Sequence, residues 1–119
     1  MIDGPLGGQT VGIVSDVATG EVSEIGVVQT VERVVDQPGC LFEIQDMSVG
    51  AAETDSDTVT THAVAWCLMP VTEASRAINS RMRLRYGGRD WQMRGDGRIE
   101  HDLDGLEDHV FCLCEGMRG

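Results

Sequence analysis

Apolar residues along this chain recur with a period of two, the spacing of strands. Arg81-Met82-Arg83-Leu84-Arg85-Tyr86 alternates without a break, arginines on one face and Met82, Leu84 and Tyr86 on the other. Gly87-Gly88 supplies turn chemistry, because glycine tolerates positive φ. Trp91 and Met93 then alternate with Gln92 and Arg94, so 81–94 is predicted to form a hairpin ended by Gly95-Asp96-Gly97. Val59–Met69 is a second strand candidate, with Val64, Trp66 and Leu68 facing one way and Pro70 as its stop. Val110–Cys114 is apolar on both faces, as in a strand buried inside a sandwich or barrel.

The N-terminal half is less regular. Thr10–Val14 begins the set of strands, and Gly39–Ile44 is expected as a short strand after a Gln37-Pro38-Gly39 turn. In Val27–Val35, the residues Val27, Val31, Val34 and Val35 fit a helical stripe, while three of the four also fit an irregular strand. The abundance of valine favours the strand. Gln45–Asp57 is acidic, small and without a base or an aromatic, and is predicted to be a mobile loop. Its thirteen residues exceed the roughly 2–5 usual for a hairpin loop. Asp96–Asp108 is expected as a second acidic loop hinged at Gly97 and Gly105. The fold class predicted is all-β: a small β-barrel or sandwich of about six strands with a long acidic loop, in a single domain spanning 1–119.

Composition sharpens this. Val, Ile, Leu and Phe together supply 29 of 119 residues, and only five residues are aromatic, so the core is lean and valine-rich. The net charge is −11, and all nine bases are arginine. Lysine is missing either through GC-rich codons or through a salt-loving host; the clustering of the acids fits the first better. Residues 1–75 carry −11, residues 76–98 carry +5 and residues 99–119 carry −5. Opposite blocks on one small domain suit head-to-tail contacts between copies, or else local Arg–carboxylate pairs on a solvated surface. A chain this acidic is poorly suited to wrapping duplex DNA or binding an anionic membrane. No targeting segment is visible at the N-terminus, and the apolar stretch 63–71 is far short of the about 20 residues that cross a bilayer.

Candidate chemistry is sparse. Cys112 and Cys114 lie on the same side of one strand and could join Cys40, Cys67, His62, His101 or His109 in a zinc site. Structural zinc sites, however, use a tight C-x₂₋₄-C knuckle, and none is present. Buried free cysteine behaves as a small hydrophobe, so the four are expected to be core thiols. The glycine pairs lack the lysine and context of a phosphate loop, and Asp102-Leu103-Asp104-Gly105 lacks the closing ligands of a calcium loop. No catalytic residue, cofactor or metal is predicted, and the chain is not expected to be an enzyme. The arginine row Arg81, Arg83, Arg85, together with Trp91 and Arg94, is expected at a subunit interface, where forked guanidinium donors meet a neighbour's carboxylates.

The order of these motifs is familiar. Gly39-Cys40 enters a strand after a turn, an acidic linker follows, and a strand closes at Pro70. The segment R-M-R-L-R-Y-G-G-R-D-W-Q-M-R-G (81–95) then resembles the D-x-V-x-x-x-G-x-x-Y-x-V-x-G hairpin of the head-to-tail stopper (head-closure) proteins of long-tailed bacteriophages. A polar loop leads to the last apolar strand and Gly116, so the resemblance spans roughly 37–116. Ser80 stands where Asp is common, Trp91 replaces the usual Tyr, and the stretch between Pro70 and Arg81 is poorer in Gly and Pro. The resemblance implies a small β-barrel in a virion neck, assembled in the host cytoplasm. It implies a homo-oligomeric ring, hexameric or dodecameric, with a portal/adaptor ring above and a tail terminator or tail tube below. Such a ring closes the channel after packaging, and DNA passes its lumen without sequence-specific binding and without any membrane. An acidic wall suits that task because it offers no counterion-release gain to phosphate. The acidic loop (Asp46, Glu53, Thr54, Asp55, Ser56, Asp57) is then the gate. Alternatives are a neighbouring adaptor (mainly helical) or tail terminator, a small Cys-based metal or redox protein, and a halophilic ligand-binding barrel.

Overall fold

A computed structural model describes residues 6–48 and 61–116. Seven strands and one short helix follow in the order β1 (Gln9–Val22), β2 (Val28–Ser48), β3 (Thr61–Met69), α1 (Glu73–Arg76), β4 (Arg83–Tyr86), β5 (Arg89–Met93), β6 (Arg98–His101) and β7 (Glu107–Gly116). All pairings are antiparallel, in the order β3-β2-β1-β4-β5-β7-β6, and β3 also pairs with β7. Six strands therefore close on themselves, the small all-β architecture expected from the alternation, and β6 is added outside on β7.

β2 unites what the sequence pattern divides. Of Val27–Val35, all but Val27 is strand, not helix, and it continues without interruption into Gly39–Ile44. At Pro38-Gly39 the strand bulges rather than turns: the register on β1 slips between Gln9↔Cys40 and Val11↔Gln37, with Gly39 at φ +75°. A bulge is where a sheet admits proline, and it lets β2 leave β1 and take up β3 from Leu41 onward. The start of the predicted acidic loop is also strand. Gln45–Ser48 is strand, paired with Thr61–Val64, and the segment 49–60 lies outside the described residues. The second acidic loop contains β6 and a turn at 102–106, in which Asp102 Oδ1 accepts from the amides of Asp104 and Leu106, each at 2.9 Å.

The core takes Val11 and Ile13 from β1, Cys40 and Phe42 from β2, Ala63, Ala65, Cys67 and Met69 from β3, and Leu84, Trp91, Met93, Val110, Cys112 and Cys114 from the C-terminal strands. Phe42 stacks on Tyr86 with centroids 4.4 Å apart and meets Trp91 edge-on at 5.3 Å. Gln9 locks this trio: its Nε2 donates to the Phe42 carbonyl (3.2 Å) and the Tyr86 hydroxyl (3.0 Å), and its Oε1 accepts from the Phe42 amide (2.9 Å). On β3, Ala63, Ala65, Cys67 and Met69 face inward, and Val64, Trp66 and Leu68 face outward together. The aromatic rings of the core come instead from β2, β4 and β5.

The helix was not evident from periodicity, being only four residues long. It is held by a reciprocal cap in which the Ser75 amide donates to Thr72 Oγ1 (3.1 Å) and the Thr72 amide to Ser75 Oγ (2.8 Å). Thr72 Oγ1 also donates to Gln37 Oε1 at 2.8 Å, fastening the helix to the bulge of β2.

Candidate interaction surfaces

The strand register leaves two hairpins projecting from opposite ends of β2. β4 pairs with β1 only over Gly12–Val14, so the β1–β2 arm beyond Ser15 and Arg33 has no further strand beside it among the described residues. Val17 faces Val31 and Val22 faces Val28 across this arm, and they are 40–61% exposed. Ile25 and Val27 at its tip are exposed as well. Two-stranded hairpins are marginal on their own, so such an arm is suited to packing against something else.

The arm's outer face carries an ionic network. Arg85 donates through Nε to Asp90 Oδ1 (2.7 Å) and through Nη2 to Oδ2 (3.1 Å), and its Nη1 and Nη2 reach Glu32 at 3.1 and 2.8 Å. Arg83 contacts Asp90 (3.1 Å), Glu32 (2.5 Å) and Asp16 (3.3 Å). Hydrogen bonds from Arg85, and then from Arg83, hold the carboxyls of Asp90 and Glu32 below their usual range. Val14, Val34 and Arg83 are direct cross-strand partners on this face, and Val14 is fully buried there beneath its neighbours.

This alters the interface predicted from sequence. Arg83 and Arg85 meet carboxylates of their own chain, the local pairing that the charge blocks allowed as the alternative. Trp91 is corrected outright: at 1% exposure it is a core residue, because the hairpin turns it inward with Leu84. Arg81 and Arg94 remain exposed, Arg94 with only a loose 3.9 Å approach to Glu115. Of the gate residues, Asp46 falls in β2, and Glu53, Thr54, Asp55, Ser56 and Asp57 lie outside the described residues.

The four thiols are all buried and unbridged. Cys67 and Cys112 are direct partners across β3 and β7, and Cys40 Sγ donates to the Gln37 carbonyl at 3.2 Å. Contact with the Cys40 thiol and burial push the Cys67 thiol far up. Burial raises Cys112, helped by Cys114, and Cys114 itself to about 12. Thiols raised in this way are poor nucleophiles and poor ligands, whereas the hydrogen bond with Cys67 holds the buried Cys40 thiol below its ordinary value. Among the described residues no group of three or more His, Cys, Asp or Glu could hold a metal ion. The side chain of His62 lies outside the described residues, and the His109 ring contacts Asp108 at 2.8 Å.

Two surfaces were missed by sequence reasoning. One is a groove of about 390 Å³ at the root of the arm, floored by Ile13, Val35, Ala77 and Met82 and edged by Arg33 and Glu73. Ile13/Val35 and Ser15/Arg33 are cross-strand pairs, and strand parity puts Val17 and Val31 on the same face of the arm beyond the groove. The other is the outward face of β2, β3 and β7. Trp66 pairs with Glu43 on one side and Leu113 on the other, and Leu68 with Leu41 and Phe111. Trp66 is 44% exposed, its ring 6.4 Å from that of Phe111, and the Arg98 guanidinium lies over Phe111 at 5.2 Å. The outward parity of Val64, Trp66 and Leu68 was legible; that this side would be the outer one was not.

No family model matches the sequence, and no curated protein matches it. Among solved structures, the chain is similar to a chain described as "Virion of native gene transfer agent (GTA) particle", with a TM-score of 0.54 and 10% identity. The likeness covers 91% of this chain and 90% of that one. At such identity it is the fold that the two share.

Proposed function

We propose that this chain is a structural protein of a phage-like virion, and within it the ring-forming stopper of the neck. As such it closes the DNA channel after packaging and gives the tail its docking surface. The observation that carries the reading is the likeness in fold, across nine-tenths of both chains, to a chain of a gene transfer agent virion. The motif order of 37–116 supports the finer assignment, and so does an acidity that makes a wall to which phosphate does not adhere. Burial of all four thiols, with Cys112 and Cys114 pushed up to about 12, weighs against the alternative of a thiol or metal enzyme. A sheet-built chain also fits a mainly helical adaptor poorly.

In this reading the β2–β3 hairpin presents 49–60, with Glu53, Asp55 and Asp57, as the gate, and β-strands form the collar around it. The test is mass measurement of the purified chain alone and with portal–adaptor complexes. A defined multiple, hexameric or dodecameric, bound to portal–adaptor is expected. A chain that ignores those complexes, or that binds only the far end of a tail tube, overturns the assignment.

A further inference from the structure

We infer that copies of this chain join head to tail, with Trp66 of one copy seated in the groove at the root of the next copy's β1–β2 arm. The assignment deepens the ring reading above and rests on it. The two surfaces have unlike shapes. One is a concave groove floored by Ile13, Val35 and Met82, with Val17 and Val31 farther out on the same face of the arm. The other is a flat sheet face from which a large aromatic stands out, flanked by Leu68, Phe111 and Leu113. A surface that cannot complement itself makes a heterologous contact, and repeated heterologous contacts close into rings when the rotation permits.

Trp66 has the character of an anchor. A tryptophan nearly half exposed on a sheet face contributes little to its own core, and buried tryptophans carry much of the energy of protein interfaces. A groove of about 390 Å³ with an apolar floor has room for an indole. The charges match as well. The groove has one base and one acid at its edge, Arg33 and Glu73, for which no ion pair is seen among the described residues. On the Trp66 face, Glu43 lies directly beside Trp66 across β2 and β3, while Arg98, over Phe111, is already paired with Glu100 at 2.6 Å. A second copy of the chain thus meets the apolar requirement of the groove with Trp66 and the charge of Arg33 with Glu43. It also gives the arm the third layer that a two-stranded ribbon lacks.

The test uses two complementary variants of the full chain, Trp66→Ala (broken face) and Ala77→Trp (filled groove), read by sedimentation. Wild type is expected to self-associate. Each variant alone should associate at least about 30-fold more weakly, the loss typical of removing an interface anchor. An equimolar mixture should give dimers and nothing larger, since one intact face and one intact groove remain per pair. Arg33→Glu is a second groove variant, in case Ala77→Trp does not fold, and unchanged melting of Trp66→Ala checks that its core is intact. Wild type that stays monomeric to about 1 mM, a Trp66→Ala variant that assembles like wild type, or a mixture without dimers each overturns the inference. If Trp66→Ala assembles normally into rings that bind portal–adaptor, the interface is wrong and the neck reading stands. Assemblies that obey the mixing rule but ignore portal–adaptor sink the neck reading alone.

Discussion

Arg85 and Asp90 lie directly opposite each other across the β4–β5 hairpin and close a two-pronged ion pair, 2.7 and 3.1 Å. Glu32, which belongs to β2, accepts from the same guanidinium, so a contact local to one hairpin also ties it to the long arm. Asp90 is the more sheltered of the two acids, and it receives donors from both Arg83 and Arg85. Replacing it by Asn leaves two guanidiniums side by side around a weaker acceptor. Asp90→Asn is expected to lower stability by about 1–2 kcal/mol in urea unfolding, near the contribution of a charge-assisted hydrogen bond.

The same network sets an acid limb of stability. Asp90 and Glu32 have carboxyls held below their unfolded values by Arg85 and Arg83. A depressed carboxyl favours the folded chain wherever the unfolded carboxyl would already be ionised. Its contribution is complete above the ordinary carboxylate range, and it is lost as pH falls through the folded value. The midpoint of thermal unfolding should therefore drop below about pH 4, and Asp90→Asn should flatten that drop. An equally steep acid limb in the variant would show that other carboxylates govern it.

Which parts of this architecture were legible in the sequence follows from how local their causes are. The β4–β5 hairpin was, because six residues of strict alternation and two glycines decide it without help from the rest of the chain. Gly87 and Gly88 indeed sit at φ +65° and +74°. The bulge at Pro38-Gly39 was not, because Pro-Gly specifies a local bend equally well for a turn and for a bulge; only the partner strands β1 and β3 decide between them. Trp91 is expected at an interface with the arginine row, yet its inward parity beside Met93 is already written in the alternation. The groove and the Trp66 face draw residues from distant segments, and no local period encodes them.

The hairpin turn gives a backbone prediction. Nothing lies within 4 Å of a Cβ built on Gly88, so crowding is absent and any cost of substitution is conformational. An L-residue at φ +74° is strained, and a β-branched one most of all. Gly88→Ala should cost about 1 kcal/mol and Gly88→Val more, roughly 2 kcal/mol, by chemical denaturation. Equal stability of Val and Ala there would mean that the turn relaxes to another form.

Burial of Cys40, Cys67, Cys112 and Cys114 makes thiol chemistry a direct test of the packed core. With Cys112 and Cys114 raised to about 12, almost no thiolate exists at pH 8. Labelling by a disulfide reagent should therefore await opening of the sheet, and all four thiols should react together at the unfolding rate. A thiol that reacts within seconds in the native protein would contradict the closed β3–β7 seam.

The gate assignment predicts a separation of stability from function. The β2–β3 stem is anchored by ladder pairs from Leu41↔Leu68 to Ser48↔Thr61, independently of the chain between them. Replacing 49–60 by a four-residue Gly/Ser turn shortens the connection between the paired strands threefold. Loop-closure entropy makes that worth only about 1 kcal/mol, in favour of the folded state. Melting should stay put or rise slightly, and ring assembly, which the proposed Trp66 contact places elsewhere, should persist. Heads completed with this variant but lacking tails should leak their DNA, read as nuclease-sensitive genome. Full retention of DNA by intact rings of the shortened chain would place the closure outside this loop.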